Sequence, residues 1–273
     1  MPSGIAKSAR VDSRSVLGEG TEIGPGCVIG PDVQIGRGTR LLGHACLTGI
    51  VRIGENNTIH PFVAIGGPPQ DVSYGGEPTR VEIGDGNMIA TRVTIHRGTV
   101  KDAGVTRIGD HNHLADGVHV AHDCQVGDHN SIDVDCMLAG HVHLASNVTV
   151  GEKVGIHQWV TVGSRSHIGG HSKITQDVPC FMRVEGNPPI IRSINGRALK
   201  QAGTSSESLA ALREAHRLLF VVRMKLDECA SLLNDLDLLT DEVLALVRFL
   251  EEQQAGRNGR ARGLHNRLQT QAD

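Results

Sequence analysis

The sequence predicts an all-β parallel β-helix followed by a small α-helical C-terminal domain, on three observations. Aliphatic residues recur every six positions, from Val11 through Leu17, Ile23, Ile29 and Ile35 to Ile65, and again from Ile108 through Leu114 and Val120 to Ile174. Glycine often follows the aliphatic residue, as at Gly18, Gly24, Gly36, Gly109 and Gly127. A small or β-branched residue commonly stands four places after it, as at Cys27, Val33, Ala45, Cys124, Cys136 and Val148. A helix has period 3.6 and an open strand period 2, so a strict period of six fits neither. It fits hexads that each form one short strand and a turn, with the aliphatic side chain inward. Glycine supplies turn conformations that a Cβ would oppose.

Composition agrees with this reading and excludes several functions. Only 2% of residues are aromatic, which suits a narrow interior built from Ile, Val and Leu. A formal net charge of −3, from 27 basic and 30 acidic residues, offers no nucleic-acid surface. The cysteines form no C-x-x-C pair, and Cys27, Cys124 and Cys136 fall on the small inward position of a hexad. They read as core thiols of a cytoplasmic protein. Met1 to Arg10 lacks the apolar stretch of a secretory signal. No apolar run approaches ~18 residues, so membrane insertion is not expected.

Two loops interrupt the hexads, at 66–82 and 98–106, within a β-helix expected over residues 1–190. The pattern resumes at Ile83, Ile89 and Ile95 between them. Loops on a regular scaffold are where function tends to sit. Pro188 and Pro189 close the repeat, and helices are expected over 191–254. Thr204-Ser205-Ser206-Glu207 has capping-box form. Leu226–Leu238 reads as one further helix, and Thr240 can cap a last one through Leu250. Residues 255–273 are polar and basic without periodicity, and are expected to be unstructured.

Stacking the coils brings particular residues together. If three hexads make one triangular turn, residues 18 apart lie about 4.8 Å above one another. Gly140 then stacks on His122, and His157 on Ala139. The spacing from Ile95 to Ile108 is 13 where 12 is due, which places His96 under Ala121. One edge thus carries His96, His122 with Asp123, Gly140 with His141, and His157 with Gln158. A repeat stacks any residue type by chance, as His111 and His129 do. This strip differs in lying beside both loops. The pairs His111-x-His113 and His141-x-His143 leave a metal reading open, although sequence establishes no third ligand for either.

The strings His60-Pro61-Phe62, Gln70-Asp71, Gly76-Glu77-Pro78-Thr79-Arg80 and Thr94-Ile95-His96-Arg97-Gly98-Thr99 resemble one family. So do Ala121-His122-Asp123-Cys124, Leu138-Ala139-Gly140-His141, His157-Gln158 and Gln176-Asp177-Val178-Pro179. The resemblance is to the acyl-carrier-protein-dependent UDP-N-acetylglucosamine 3-O-acyltransferases of lipid A biosynthesis, over about residues 10–200 and more weakly to about 250. The sister N-acyltransferases usually carry asparagine where this chain has Asp123.

The resemblance implies a left-handed coil, a homotrimer with sites between subunits, and no cofactor or metal. It implies transfer of a 3-hydroxyacyl chain from acyl carrier protein to the glucosamine 3-hydroxyl of UDP-N-acetylglucosamine. A sugar hydroxyl attacking a thioester needs a base, and histidine titrates near neutrality. His122 is expected in that role, Asp123 as its orienting partner, and the Gly140 N–H as oxyanion donor. Because neighbours on a strand face opposite ways, the dyad requires a turn at 122–123. Gln70, Asp71, His141, Gln158, Asn195 and Lys200 are expected to hold the sugar nucleotide, with His96, His119 and His157 lining the cleft. Gly170 is expected to set acyl length.

The chain departs from the family in two places. Ser73 stands where a lysine is common. Gln201 and Ala202 replace two arginines, leaving Lys200 as the local cation. Alternatives are a hexapeptide acyltransferase for a different nucleotide sugar or an amine acceptor, and a non-catalytic β-helix scaffold.

Overall fold

Each hexad contributes a strand of only two to four residues, and every third strand joins the same sheet. The computed structural model of the chain describes residues 4–269. Three sheets of nine, eight and ten strands form the faces of a triangular prism, in which strands pair parallel along the coil. The register is the predicted one: Val120 pairs with Leu138, and Leu138 with Ile156, each 18 apart. Across the two loops the step lengthens. Ile53 pairs with Ile83, and Ile83 with Ile108, so the first loop inserts twelve residues and the second seven. Strand structure reaches Gly67 before the first loop and resumes at Arg80 after it. The second loop is likewise bounded by strands ending at His96 and beginning at Val105. Each loop is thus shorter than the break in the hexad pattern suggests.

The inward aliphatic residues form the core. Leu114, Ile132, Leu138 and Ile168 are fully buried, as are Cys27, Cys124 and Cys136. Burying each large aliphatic side chain contributes about 1.5–3 kcal/mol. The turn chemistry also accounts for much of the histidine content. His44, His111, His129, His141 and His171 sit at φ between 49° and 62°, a left-handed conformation in which Asn, Asp and His are enriched.

The C-terminal part differs from the reading of the sequence at three points. Residues 191–194 are not helical: Ile190–Ile194 forms a strand antiparallel to Met182–Glu185, which itself extends a prism face. Helices follow at α1 (Gly196–Gln201), α2 (Ser206–His216), α3 (Leu226–Asp235) and α4 (Asp241–Gln254). Ser205 rather than Thr204 caps α2, its side chain accepting the Ser208 N–H. Thr240 caps α4 as expected. The segment expected to be unstructured instead carries a fifth helix, α5 (Arg260–Gln269). Its sequence is polar overall, and the helix packs on the prism through Arg262 and Gly263. Residues 270–273 of that segment lie outside the described residues.

Candidate active site

Residues 122 and 123 occupy a turn, with Asp123 at φ 60°. That geometry bends both side chains onto one face, and His122 Nδ1 lies 2.9 Å from Asp123 Oδ2. The Asp123 carboxylate is fully buried and nearly saturated. It accepts the Thr99 N–H at 2.7 Å and the Thr99 hydroxyl at 2.6 Å, both from the second loop. Thr106 holds the Asp123 backbone N–H. A Cβ on Gly98 would come within 2.7 Å of Asp123 Oδ1, so only glycine lets the loop approach this closely. With Nδ1–H donated to Asp123, the His122 Nε2 lone pair is left for the cleft. The neighbouring thiol of Cys124 is pushed up to about 12 by burial, which removes it as a nucleophile.

One coil further on, Gly140 lies directly over the His122 ring. A Cβ there would meet His122 Cε1 at 2.5 Å, so the position requires glycine. The Gly140 N–H has no acceptor among the described residues. A cleft of about 400 Å³ opens beside these groups, lined by Gln70, His119, His122, Gly140, His157, Gln158 and Lys173 together with apolar Met137, Ala139 and Ile156.

Several expected site residues gather here and others do not. His96 donates Nδ1–H to the Pro68 carbonyl at 2.7 Å and meets the His119 ring edge-on. His119 is held by Thr94, and burial, with His96 and His122 nearby, pushes its pKa down. Asp71 stands beside Gln70 and receives Lys101 Nζ at 2.6 and 2.9 Å, which keeps its carboxyl far below the usual range. His141 lies behind the cleft rather than in its wall. It is buried, stacked on Trp159 at 3.8 Å between centroids, with Nδ1 3.3 Å from Asp102 and Nε2 3.6 Å from Asp123. Asn195 caps α1 and donates to the Arg165 carbonyl. Asn195, exposed Lys200 and Gly170 do not line this cleft.

Sequence reasoning missed Thr99, Lys101, Asp102, Trp159 and Lys173. Thr99 lay within a quoted motif, but its partner is 24 residues away. Lys101 supplies beside Asp71 the cation that Ser73 lacks. His122, Asp123 and His141 place one ligand atom each within 4.8 Å of one another, close enough for a metal ion. The donor atoms of Asp123 are already taken up by Thr99 and His122, however, so the set fits a proton-holding network better than a ligand set.

Among solved structures, LpxA from Acinetobacter baumannii is 40% identical, covers 91% of this chain and 96% of its own, and superposes with a TM-score of 0.87. UDP-N-acetylglucosamine O-acyltransferase from Moraxella catarrhalis is 38% identical over 89% of this chain and 95% of its own, with a TM-score of 0.84. The chain belongs to the UDP-N-acetylglucosamine O-acyltransferase family. A family profile described as UDP-N-acetylglucosamine O-acyltransferase, domain 2, matches residues 177–263, and one for bacterial transferase hexapeptides matches 14–49. Membership makes the chain an acyltransferase with the left-handed β-helix expected above. The domain 2 match ends at residue 263, within the first turn of α5. No described helix is long and apolar enough to cross a membrane.

Proposed function

We propose that this protein transfers a 3-hydroxyacyl chain from acyl carrier protein to the 3-hydroxyl of UDP-N-acetylglucosamine, the first step of lipid A biosynthesis, in the cytoplasm. The observation that carries the reading is the His122–Asp123 dyad facing the cleft beneath the unpaired Gly140 N–H. His122 Nε2 takes the proton of the sugar hydroxyl as the oxygen attacks the thioester carbonyl. Asp123, locked by Thr99, keeps the imidazole in the required tautomer and stabilises the imidazolium. The carbonyl oxygen becomes an oxyanion that accepts the Gly140 N–H. Collapse of the intermediate breaks the carbon–sulfur bond. The departing thiolate takes the proton back from His122, leaving the ester and free carrier thiol.

Gln70, His119, His157 and Gln158 line the cleft and hold the sugar nucleotide, with Asp71 and His96 beside it and His141 supporting Asp123 from behind. Asn195, Lys200 and Gly170 belong to parts of the site that a homotrimer would bring together, the last at the distal end of the acyl groove. The apolar part of the cleft wall, from Met137 to Ile156, suits an acyl chain. A mass-spectrometric assay of purified protein with UDP-N-acetylglucosamine and 3-hydroxyacyl carrier proteins of several lengths tests the reading. Ester product is expected, and its absence with every donor would overturn it.

A further inference from the structure

The C-terminal helix reaches the catalytic corner through two guanidinium groups: Arg260 Nη2 lies 2.6 Å from His157 Nε2, and Arg262, partly buried, reaches behind the cleft. Arg262 Nη2 donates to the carbonyls of His141 and Trp159, and Nη1 donates to Thr161 Oγ1 at 3.0 Å. Its guanidinium lies 5.5 Å from the centre of the Trp159 ring. Neither carbonyl accepts another hydrogen bond among the described residues. A Cβ on Gly263 would come within 2.7 Å of Trp159 Cε2, so α5 seats here only because residue 263 is glycine.

His141 and Trp159 hold equivalent places in two stacked turns, at φ 62° and 69°. Each directly follows a residue of the cleft: Gly140 before His141, and Gln158 before Trp159. The Trp159 N–H donates to the Gly140 carbonyl, which joins the two turns. The clamped carbonyls belong to the peptides that leave these two turns, so holding both restrains the turns that present Gly140 and Gln158.

We propose that Arg262 is a positioning residue, which holds the stacked turns 140–141 and 158–159 so that the Gly140 N–H meets the developing oxyanion. The inference rests on the oxyanion role proposed above for Gly140. A planar fork with several donors can span two carbonyls and a hydroxyl, whereas an ammonium serves them one at a time. A displacement near 1 Å in a catalytic group can lower rate by about a hundredfold.

The test uses the full chain. Arg262→Ala is expected to lower kcat about tenfold to a hundredfold with KM for UDP-N-acetylglucosamine within threefold, and added guanidinium ion is expected to restore several-fold of the loss. Arg262→Lys should fall between, and it carries the test alone if the alanine variant does not fold. A kcat within threefold of the parent overturns the proposal. So does a loss that follows the folded fraction and is not rescued by guanidinium. His122→Ala in the same assay separates the two readings. If its kcat is unchanged, the base assignment falls, while a rescued loss at Arg262 still supports the clamp.

Discussion

Thr99 donates both its backbone N–H and its hydroxyl to the carboxylate of Asp123, 24 residues further along the chain. The second loop is thereby tied to the carboxylate that orients His122. Thr99→Val keeps the shape and removes the hydroxyl bond. Hydrogen bonds to charged groups contribute about 1.5–3 kcal/mol, so the variant is expected to lose kcat about tenfold or more while binding the sugar nucleotide as before. Steady-state kinetics at saturating donor checks this; a change confined to KM would contradict the orienting role.

His122→Ala is expected to lower kcat by roughly 10²–10⁴ with the fold intact, because a turn side chain adds little to the core. Circular dichroism and thermal melting verify the fold, and activity within threefold of the parent sinks the assignment. The parent should keep its activity after exhaustive chelation, and metal analysis of purified protein should find no stoichiometric zinc or iron. The opposite result would favour a metal held by His122, Asp123 and His141.

The acyl groove offers a steric test. A Cβ at Gly170 would lie 3.3 Å from both Glu152 Cγ and the Glu152 backbone oxygen, a tight approach that a shift of a few tenths of an ångström relieves, and the backbone there is not left-handed. Gly170→Met is therefore expected to fold and to shift donor preference towards shorter chains. Overpacking costs about 1–3 kcal/mol, enough for a tenfold change in selectivity. An unchanged length profile would remove Gly170 from the groove.

Position 201 tests the phosphate end. Gln201→Arg adds a forked donor beside Lys200. It is expected to lower KM for UDP-N-acetylglucosamine severalfold with kcat little changed. An unchanged KM, with strong loss of binding in Arg197→Ala, would relocate the contact to Arg197.

Stability should depend on pH through His143. Burial first, then the Arg262 charge and His141, push its pKa down to about 4, against the pull of Asp102. The unfolded chain binds a proton at this residue near pH 6.5, while the folded chain does so only near 4. Stability from this group is therefore full above about 6.5 and lost as pH falls towards 4. Asp177, raised to about 6 by burial, works in the opposite sense over part of that range. His143→Gln should shrink the fall in melting temperature between pH 7 and 4.5. An identical fall in parent and variant would exclude His143 as its source.

Hexad spacing by itself determined the coil, the inward side chains, the 18-residue register and the stacking of His96, His122, Gly140 and His157 on one edge. These follow from local periodicity, because a strand-turn unit too short to bury its own face must repeat and stack. The turn at 122–123 was also legible, since no strand could bring both side chains to one face. Tertiary structure alone decided what sits behind that edge. Thr99 and Lys101 reach Asp123 and Asp71 because the loops fold back over the prism. His141 turns inward because Trp159 covers it. Arg262 arrives from a segment that is polar and basic overall. Such contacts join distant parts of the chain through single side chains, and a repeat carries no phase information about them. The helix around Arg262 is seated by His141, Trp159 and Thr161, all about a hundred residues upstream, so its seat could not be read from its own residues.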